Sequence, residues 1–381
     1  MFQNPTKTEQ KLIIYGSEQF IMNIYKTFGL KEVINADGKM TALGGSATSN
    51  VVAKNMATAL ENFVIMEDLL NYTGQVIAKY TISEDGCPTV GAAAGIAIST
   101  ASVITGKNLS LVQSVPHHGL SKCEIVIQKG HCVDFGGNIT QMIQLGGGKV
   151  VEVGTSNNTE IAHIEEAINE NTAALFYIKS HHCVQKGMQP IETLLDLGRK
   201  YNIPVIIDAA AEEDLQRYYI MGADLIIYSG SKALNGPTCG FICGKKDLIA
   251  NCKLQYKGIG RAMKVSKEAM IGLITSLDMY GKETPNNFKY QMQVLATKLE
   301  QETGLECQVA KDEVRDFYRC QIKLKPKTAY KLNEALKQGD PAIFLRPYYI
   351  NQGILFVDPR GLKPGQEDII VESIKKLVGS I

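Results

Sequence analysis

Two strand–helix units in succession constrain this chain more than any other feature. Pro204-Val-Ile-Ile-Asp208 is an apolar, β-branched run that ends in an acid. The stretch Glu212–Met221 follows and reads as a helix, opening on Glu212, Glu213 and Asp214 as the positive end of a helix dipole favours. Ala223-Asp-Leu-Ile-Ile-Tyr-Ser229 is a second apolar run and leads into Gly230-Ser231-Lys232. Right-handed crossovers carry successive parallel strands to one carboxyl edge. Asp208 and Lys232 are therefore expected at the same edge of a sheet, where α/β proteins bind ligands.

The same rhythm extends to both sides. Glu124–Gln128, Lys149–Val153, Ala173–Ile178, Asp224–Tyr228 and Gly240–Cys243 read as strands, most of them apolar on both faces, as a covered parallel sheet requires. Between them, Thr159 can cap a helix over Glu160–Asn169, and Pro190 suits the first turn of a helix reaching Tyr201. The fold class is α/β with a mainly parallel sheet. Past Lys245 the pattern changes to helices, then to strands at Cys307–Val309, Tyr318–Leu324, Ile343–Arg346 and Ile354–Val357, with helices over Thr328–Gln338 and Gln366–Val378. This reads as a smaller α+β C-terminal domain. The expected division is an N-terminal segment 1–45, a large domain 46–265 and a small domain 266–381.

Composition narrows the function. Forty Lys+Arg against 39 Asp+Glu leave a net charge of +1, whereas gripping a phosphate backbone needs a basic field, so no nucleic-acid partner is expected. Nine Cys, with no C-x-x-C pair, read as reduced thiols of a cytoplasmic protein. Cys239 and Cys243 lie four residues apart on a strand, about 13 Å, too far to share one zinc ion, and no metal is expected. Met1–Lys11 is polar and lacks the apolar core of a signal peptide. Gly86–Gly106 carries no charge but is rich in Ser and Thr, which favours a buried helix over a membrane span.

A carboxylate and a lysine at one sheet edge fit pyridoxal 5′-phosphate (PLP). The lysine serves as its Schiff-base partner, and the acid holds a proton on the pyridine nitrogen so that the ring can accept electrons. The cofactor phosphate needs donors at a helix start. Thr89-Val-Gly91-Ala92-Ala93, ahead of the uncharged helix, offers backbone N–H groups, and Ser229 adds a hydroxyl.

Val33-Ile-Asn-Ala36, Glu152-Val-Gly-Thr155, the Asp208 strand and Ser229-Gly-Ser-Lys232 with Gly236-Pro237 resemble the bacterial selenocysteine-synthase family of fold-type-I PLP enzymes. Within that superfamily, Lys179-Ser-His-His-Cys-Val-Gln-Lys-Gly187, Ile207-Asp-Ala-Ala-Ala-Glu-Glu-Asp-Leu215, Tyr228-Ser-Gly-Ser-Lys232 and Lys257-Gly-Ile-Gly-Arg-Ala-Met-Lys264 are similar to the D-glucosaminate-6-phosphate ammonia-lyases. The family pattern often has Ala where this chain has Ser231.

The resemblance implies the fold-type-I PLP-dependent transferase fold, with a mainly parallel seven-stranded sheet, a smaller C-terminal domain, and a homodimer or larger assembly. It implies Lys232 as the Schiff-base lysine, Asp208 as the ring-nitrogen partner, and Gly91, Ala92 and Ser229 around the phosphate. His131 falls where such enzymes often place a ring over the cofactor, and an imidazole there could also donate a proton. His181 and His182 follow a strand, whose alternation turns one of the two toward the site; both stay open, with His182 carried as a catalytic candidate. His117, His118 and His163 have weaker cases. Arg346, or alternatively Arg360, is the expected partner of the substrate carboxylate, and Arg261 and Lys264 are candidates for a distal phosphate. The implied reaction is β-elimination and deamination of D-glucosaminate 6-phosphate to 2-keto-3-deoxygluconate 6-phosphate and ammonia. A transferase acting on aminoacyl-tRNA, a lyase for another hydroxy-amino acid and a non-catalytic scaffold are the alternatives.

Overall fold

The computed structural model describes residues 23–117, 120–134, 136–180, 183–282, 288–312 and 316–379. Among them the strands are β1 (Val33–Ala36), β2 (Asp85–Thr89), β3 (Glu124–Gln128), β4 (Lys149–Val153), β5 (Thr172–Ile178), β6 (Val205–Asp208), β7 (Leu225–Ser229), β8 (Gly240–Gly244), β9 (Glu306–Lys311), β10 (Tyr318–Lys323), β11 (Ala342–Tyr349) and β12 (Ile354–Val357). The chain divides into two compact units, with breaks at 38/39 and 284/285.

The larger unit holds a seven-stranded sheet in the order β2-β8-β7-β6-β5-β3-β4. Every neighbouring pair is parallel except those that β8 makes with β2 and β7. Strand alternation divides the apolar side chains between two cores. Ile125, Ile127, Phe176, Ile206, Ile227 and Ile242 pack on one face, with Ile96 and Ile98 of the helix Ala92–Thr105. Val126, Leu175, Val205, Ile207, Ile226 and Phe241 pack on the other, with Leu194, Met270 and Leu273 from covering helices. Burying each such side chain stabilises the fold by about 1.5–3 kcal/mol. Both faces are covered, which is why β5, β6 and β7 read as unbroken apolar runs.

Several local expectations change. β2 was not anticipated, because Gly86 and Pro88 depress strand character. It lies at the sheet edge, where proline is tolerated, and the Pro88 carbonyl accepts the Tyr256 hydroxyl. The helix expected over Glu212–Met221 shrinks to Arg217–Ile220. Asp214 Oδ1 accepts the amides of Gln216 and Arg217, and Glu212 accepts the Tyr218 hydroxyl, so these acids hold a turn rather than a first helical turn. Glu160, not Thr159, caps the helix Ile161–Ala167, with His163 Nδ1 accepting the Glu160 amide.

The smaller unit carries a five-stranded sheet, β1-β11-β12-β10-β9, with helices Lys289–Thr303, Pro326–Gln338 and Gln366–Val378 packed on Ile322, Leu345 and Leu355. The breaks differ from those expected at 45/46 and 265/266, for two reasons. Helix Lys267–Met279 buries Met270, Leu273 and Leu277 in the larger unit's core, and Val33–Ala36 pairs in parallel with β11. Among the described residues, no helix is long and apolar enough to cross a membrane, including the one within Gly86–Gly106.

Candidate active site

The parallel strands β2, β3, β5, β6 and β7 all end at one edge, and the chemistry gathers there. Asp208 closes β6, and Lys232 follows β7 by three residues. Asp208 is 3% exposed, and burial pushes its carboxyl up to about 6, while the charge of Lys232 and the Ala210 amide at 3.0 Å pull it back. The carboxylate and the lysine thus feel each other, as their sequence spacing implied.

On the β3 side, His131 is fully buried, edge-on to the Tyr177 ring with centroids 4.6 Å apart. Its Nδ1 accepts the Ile178 amide at 3.3 Å, which places the ring proton on Nε2. Nε2 is itself buried with no hydrogen-bond partner among the described residues. Burial, with a contribution from the Lys179 charge, lowers the His131 pKa to about 4. A neutral imidazole offers a hydrogen-bond donor but holds no titratable proton for general-acid work at neutral pH.

At the other end, Thr89 and Ser229 are the in-register partners of Gly240 on the two sides of β8. A Cβ on Gly240 would fall 2.8 Å from the Ala92 nitrogen, so only glycine lets the helix Ala92–Thr105 start this close to the sheet. No side chain caps that helix, and its first turn has no acid. Gly91 has extended backbone that suits any residue, and a Cβ there would touch nothing within 4 Å. Open backbone N–H groups, clear space at Gly91 and the nearby Ser229 hydroxyl suit a phosphate. The uncapped helix start, the buried Asp208 beside Lys232 and the orphaned His131 Nε2 together fit PLP.

Sequence reasoning missed Gly240 and Lys39. The Lys39 ammonium donates to the main-chain carbonyl of Lys232. His181 and His182, like His118, lie outside the described residues. Their neighbour Cys183 is buried, its thiol pushed up to about 12 by burial and then by the charge of Asp208. His117 and His163 have no contact with Asp208 or Lys232 among the described residues, and His163 serves its helix cap.

The cationic candidates separate. Arg261 and Lys264 are exposed in and just after the short 3-10 segment Ile259–Met263, and no contact among the described residues ties them to Asp208 or Lys232. In the smaller unit, Asp358 is fully buried among three guanidinium groups. Arg360 grips both its oxygens, through Nε at 2.9 Å and Nη2 at 2.8 Å, and stacks on Phe317. Arg319 adds a bond at 3.0 Å. Burial opposes the charge of Asp358, but Arg360 and Arg319 prevail and hold its carboxyl below the ordinary value. Arg346 is less committed: its Nη1 donates to the Asp37 carbonyl at 2.8 Å and stands 3.8 Å from Asp358. Arg360 is therefore a partner of Asp358, which leaves Arg346 as the cation of this group with donors to spare.

Comparison with known proteins agrees with this geometry. A family model described as SelA, L-seryl-tRNA selenium transferase, matches residues 33–331. The chain is 42% identical over 360 residues to a D-glucosaminate-6-phosphate ammonia lyase of Salmonella typhimurium (strain 14028s / SGSC 2262), covering 93% of this chain and 98% of that protein. It is 40% identical to a 5′-C-glycyluridine monooxygenase-decarboxylase of a Streptomyces species, covering 93% and 92%. The solved structure of a D-glucosaminate-6-phosphate ammonia-lyase superposes with a TM-score of 0.91 at 41% identity, over 94% of this chain and 99% of that one. A likeness to serine palmitoyltransferase with PLP, at a TM-score of 0.54 and 13% identity over 92% and 89% of the chains, shows the fold alone. With the SelA model matched from residue 33 to residue 331 and fold-type-I architecture throughout, the chain belongs to the SelA family.

Proposed function

We propose that this chain is a PLP-dependent ammonia lyase that converts D-glucosaminate 6-phosphate to 2-keto-3-deoxygluconate 6-phosphate and ammonia. One observation carries the reading. Buried Asp208 and half-buried Lys232 share a sheet edge with an uncapped helix start, in a chain 42% identical to a D-glucosaminate-6-phosphate ammonia lyase across 93% of its length.

PLP bound at this edge supplies a ring that accepts the electron pair left when Cα loses its proton. Asp208 holds the proton on the ring nitrogen; with its pKa about 6, it is mostly ionised at neutral pH. The N–H groups opening helix Ala92–Thr105, with Gly91, Ala92 and Ser229, hold the phosphate. Lys232 Nζ anchors the cofactor, takes the Cα proton and returns a proton to the departing C3 hydroxyl, since hydroxide leaves poorly without one. The water lost at C3 is taken up again when nitrogen leaves as ammonia, so the overall reaction balances. His131, its Nδ1 engaged by the Ile178 amide, has an Nε2–H free to donate a hydrogen bond, and His182 serves beside Lys232 as an acid. Arg346 receives the substrate carboxylate, and Arg261 and Lys264 the substrate phosphate.

Exposed Leu60, Phe63, Val64 and Ile65 form an apolar stretch that supports a homo-oligomer. Nine unpaired cysteines support a cytoplasmic protein, and the net charge of +1 supports a small-molecule substrate over tRNA.

The test measures ammonia release from phosphorylated and unphosphorylated 2-amino sugar acids. Parallel arms use 5′-C-glycyluridine, with oxygen uptake as the readout, and seryl-tRNA. Turnover of D-glucosaminate 6-phosphate well above the other arms is expected; oxygen-dependent turnover of the nucleoside alone would overturn the assignment.

A further inference from the structure

We infer that Lys39 is a positioning residue for Lys232, the clasp of a strap that fixes the lysine loop. The inference rests on the assignment of Lys232 as the Schiff-base lysine. Three contacts define the strap. The Lys39 ammonium donates to the Lys232 carbonyl, and Ser46 Oγ donates to the Gly236 carbonyl at 2.7 Å. Between them, Gly45 sits at φ +81°, and a Cβ there would lie 3.0 Å from Ser231 Oγ. The strap thus touches the lysine loop near its start, at Lys232 itself and at its end.

The strap is preformed. The Met40 carbonyl accepts the amides of Leu43 and Gly45, and the Thr41 carbonyl accepts that of Gly44, which makes one tight turn. On its remaining sides, the loop is held by backbone bonds from Gly230 to the Cys239 carbonyl (2.8 Å) and from Gly236 to the Gly230 carbonyl (2.9 Å), and the Lys232 carbonyl that Lys39 grips also accepts a long bond from the Asn235 amide (3.4 Å). Packing does not complete the job. A cavity of about 120 Å³ lies beside the loop, lined by Ala233, Leu234 and Asn235 on one side and Ser49, Ser276 and Met279 on the other. A loop with unfilled space beside it can relax into that space unless something else fixes its backbone. Lys39 grips the carbonyl of the residue whose side chain must swing from anchoring the cofactor to receiving the Cα proton. Holding the carbonyl fixes the plane of the Lys232–Ala233 peptide and so limits the directions in which Cβ, and with it Nζ, can point. A misplacement of about 1 Å at a reacting group can cost 10²-fold in rate.

The experiment uses the PLP-loaded enzyme. Lys39→Met is expected to lower kcat by about 10- to 100-fold, with KM for the amino sugar acid moving less than about threefold. The visible circular dichroism of the bound cofactor should weaken, and Lys39→Arg should restore both readouts. Ser46→Ala opens the second contact without changing any charge and should move both in the same direction by less. A rise in KM with kcat and dichroism unchanged overturns the inference, because it makes Lys39 a substrate-binding cation. Wild-type values in both Lys39→Met and Ser46→Ala also overturn it. Borohydride fixation and peptide mapping separate this result from the functional reading. Label absent from Lys232 in the wild type sinks that reading and the clasp with it. Label on Lys232 in every variant, with unchanged rates, sinks the clasp alone.

Discussion

His131 accepts the backbone N–H of Ile178 at 3.3 Å, and Ile178 is the register partner of Asp208. The strand end that orients the imidazole therefore also sits beside the carboxyl. One environment shifts the two groups in opposite directions. Burial keeps both in their neutral forms over a wider range of pH, which raises the Asp208 pKa to about 6 and lowers that of His131 to about 4.

For Asp208 the sign follows from linkage. The unfolded carboxyl titrates near 3.8 and the folded one near 6, so the folded state binds more protons between these values and stability falls as pH rises through them. Above pH 6 the buried carboxylate costs the cofactor-free protein roughly 2–3 kcal/mol, at about 1.4 kcal/mol per pKa unit. Asp208→Asn should melt higher than wild type at pH 8 and equally at pH 3.5, while losing turnover. Denaturation curves of the two cofactor-free proteins at both pH values check this; no difference at pH 8 would remove the burial argument.

For His131 the slope is reversed. The unfolded imidazole takes a proton below about 6.5 and the folded one only near 4, so stability declines as pH falls through that window. His131→Gln should flatten that part of the pH–stability curve. If the ring only donates a hydrogen bond, the variant should keep kcat within about 100-fold of wild type at pH 7. A loss comparable with that of Lys232→Ala would restore a general-acid role.

Lys232→Ala should abolish ammonia release and leave no borohydride-fixable cofactor, because no Schiff base can form. Covalent label at another lysine with activity retained would refute the assignment.

Gly240→Ala tests the phosphate seat. The added methyl would lie 2.8 Å from the Ala92 nitrogen and 2.7 Å from the Gly91 carbonyl carbon, so the helix start must move. Overpacking of this kind typically costs about 1–3 kcal/mol. The dissociation constant for PLP, followed by absorbance titration, should rise by about tenfold or more. Unchanged affinity would mean that the phosphate sits elsewhere.

Asp358→Ala should destabilise the protein by about 3–5 kcal/mol, because it leaves Arg319 and Arg360 without their shared buried partner. Arg346→Lys should leave stability nearly unchanged and raise KM for the substrate, which a chemical denaturation series and steady-state kinetics can separate.

Much of the large unit was legible from local pattern. Periodicity located β3 to β8, and the crossover rule placed Asp208 and Lys232 at one edge, because a strand's direction and its covered faces are written in neighbouring residues. The Glu212–Met221 helix failed because side-chain carboxylates competed for the amides that a helix would have used. Other features depend on residues far apart in the chain. Lys39 meets Lys232 across 193 positions, and the need for glycine at 240 arises only where β8 runs beside the start of helix Ala92–Thr105. Sequence reading ranks Arg346 ahead of Arg360 as the carboxylate partner, but the bonds that bind Arg360 to Asp358 exist only once folding has buried Asp358. The sequence by itself determined which groups could do chemistry and which edge they share. Tertiary structure decided their charge states and partners, because desolvation and hydrogen-bond pairing exist only once distant segments are packed together.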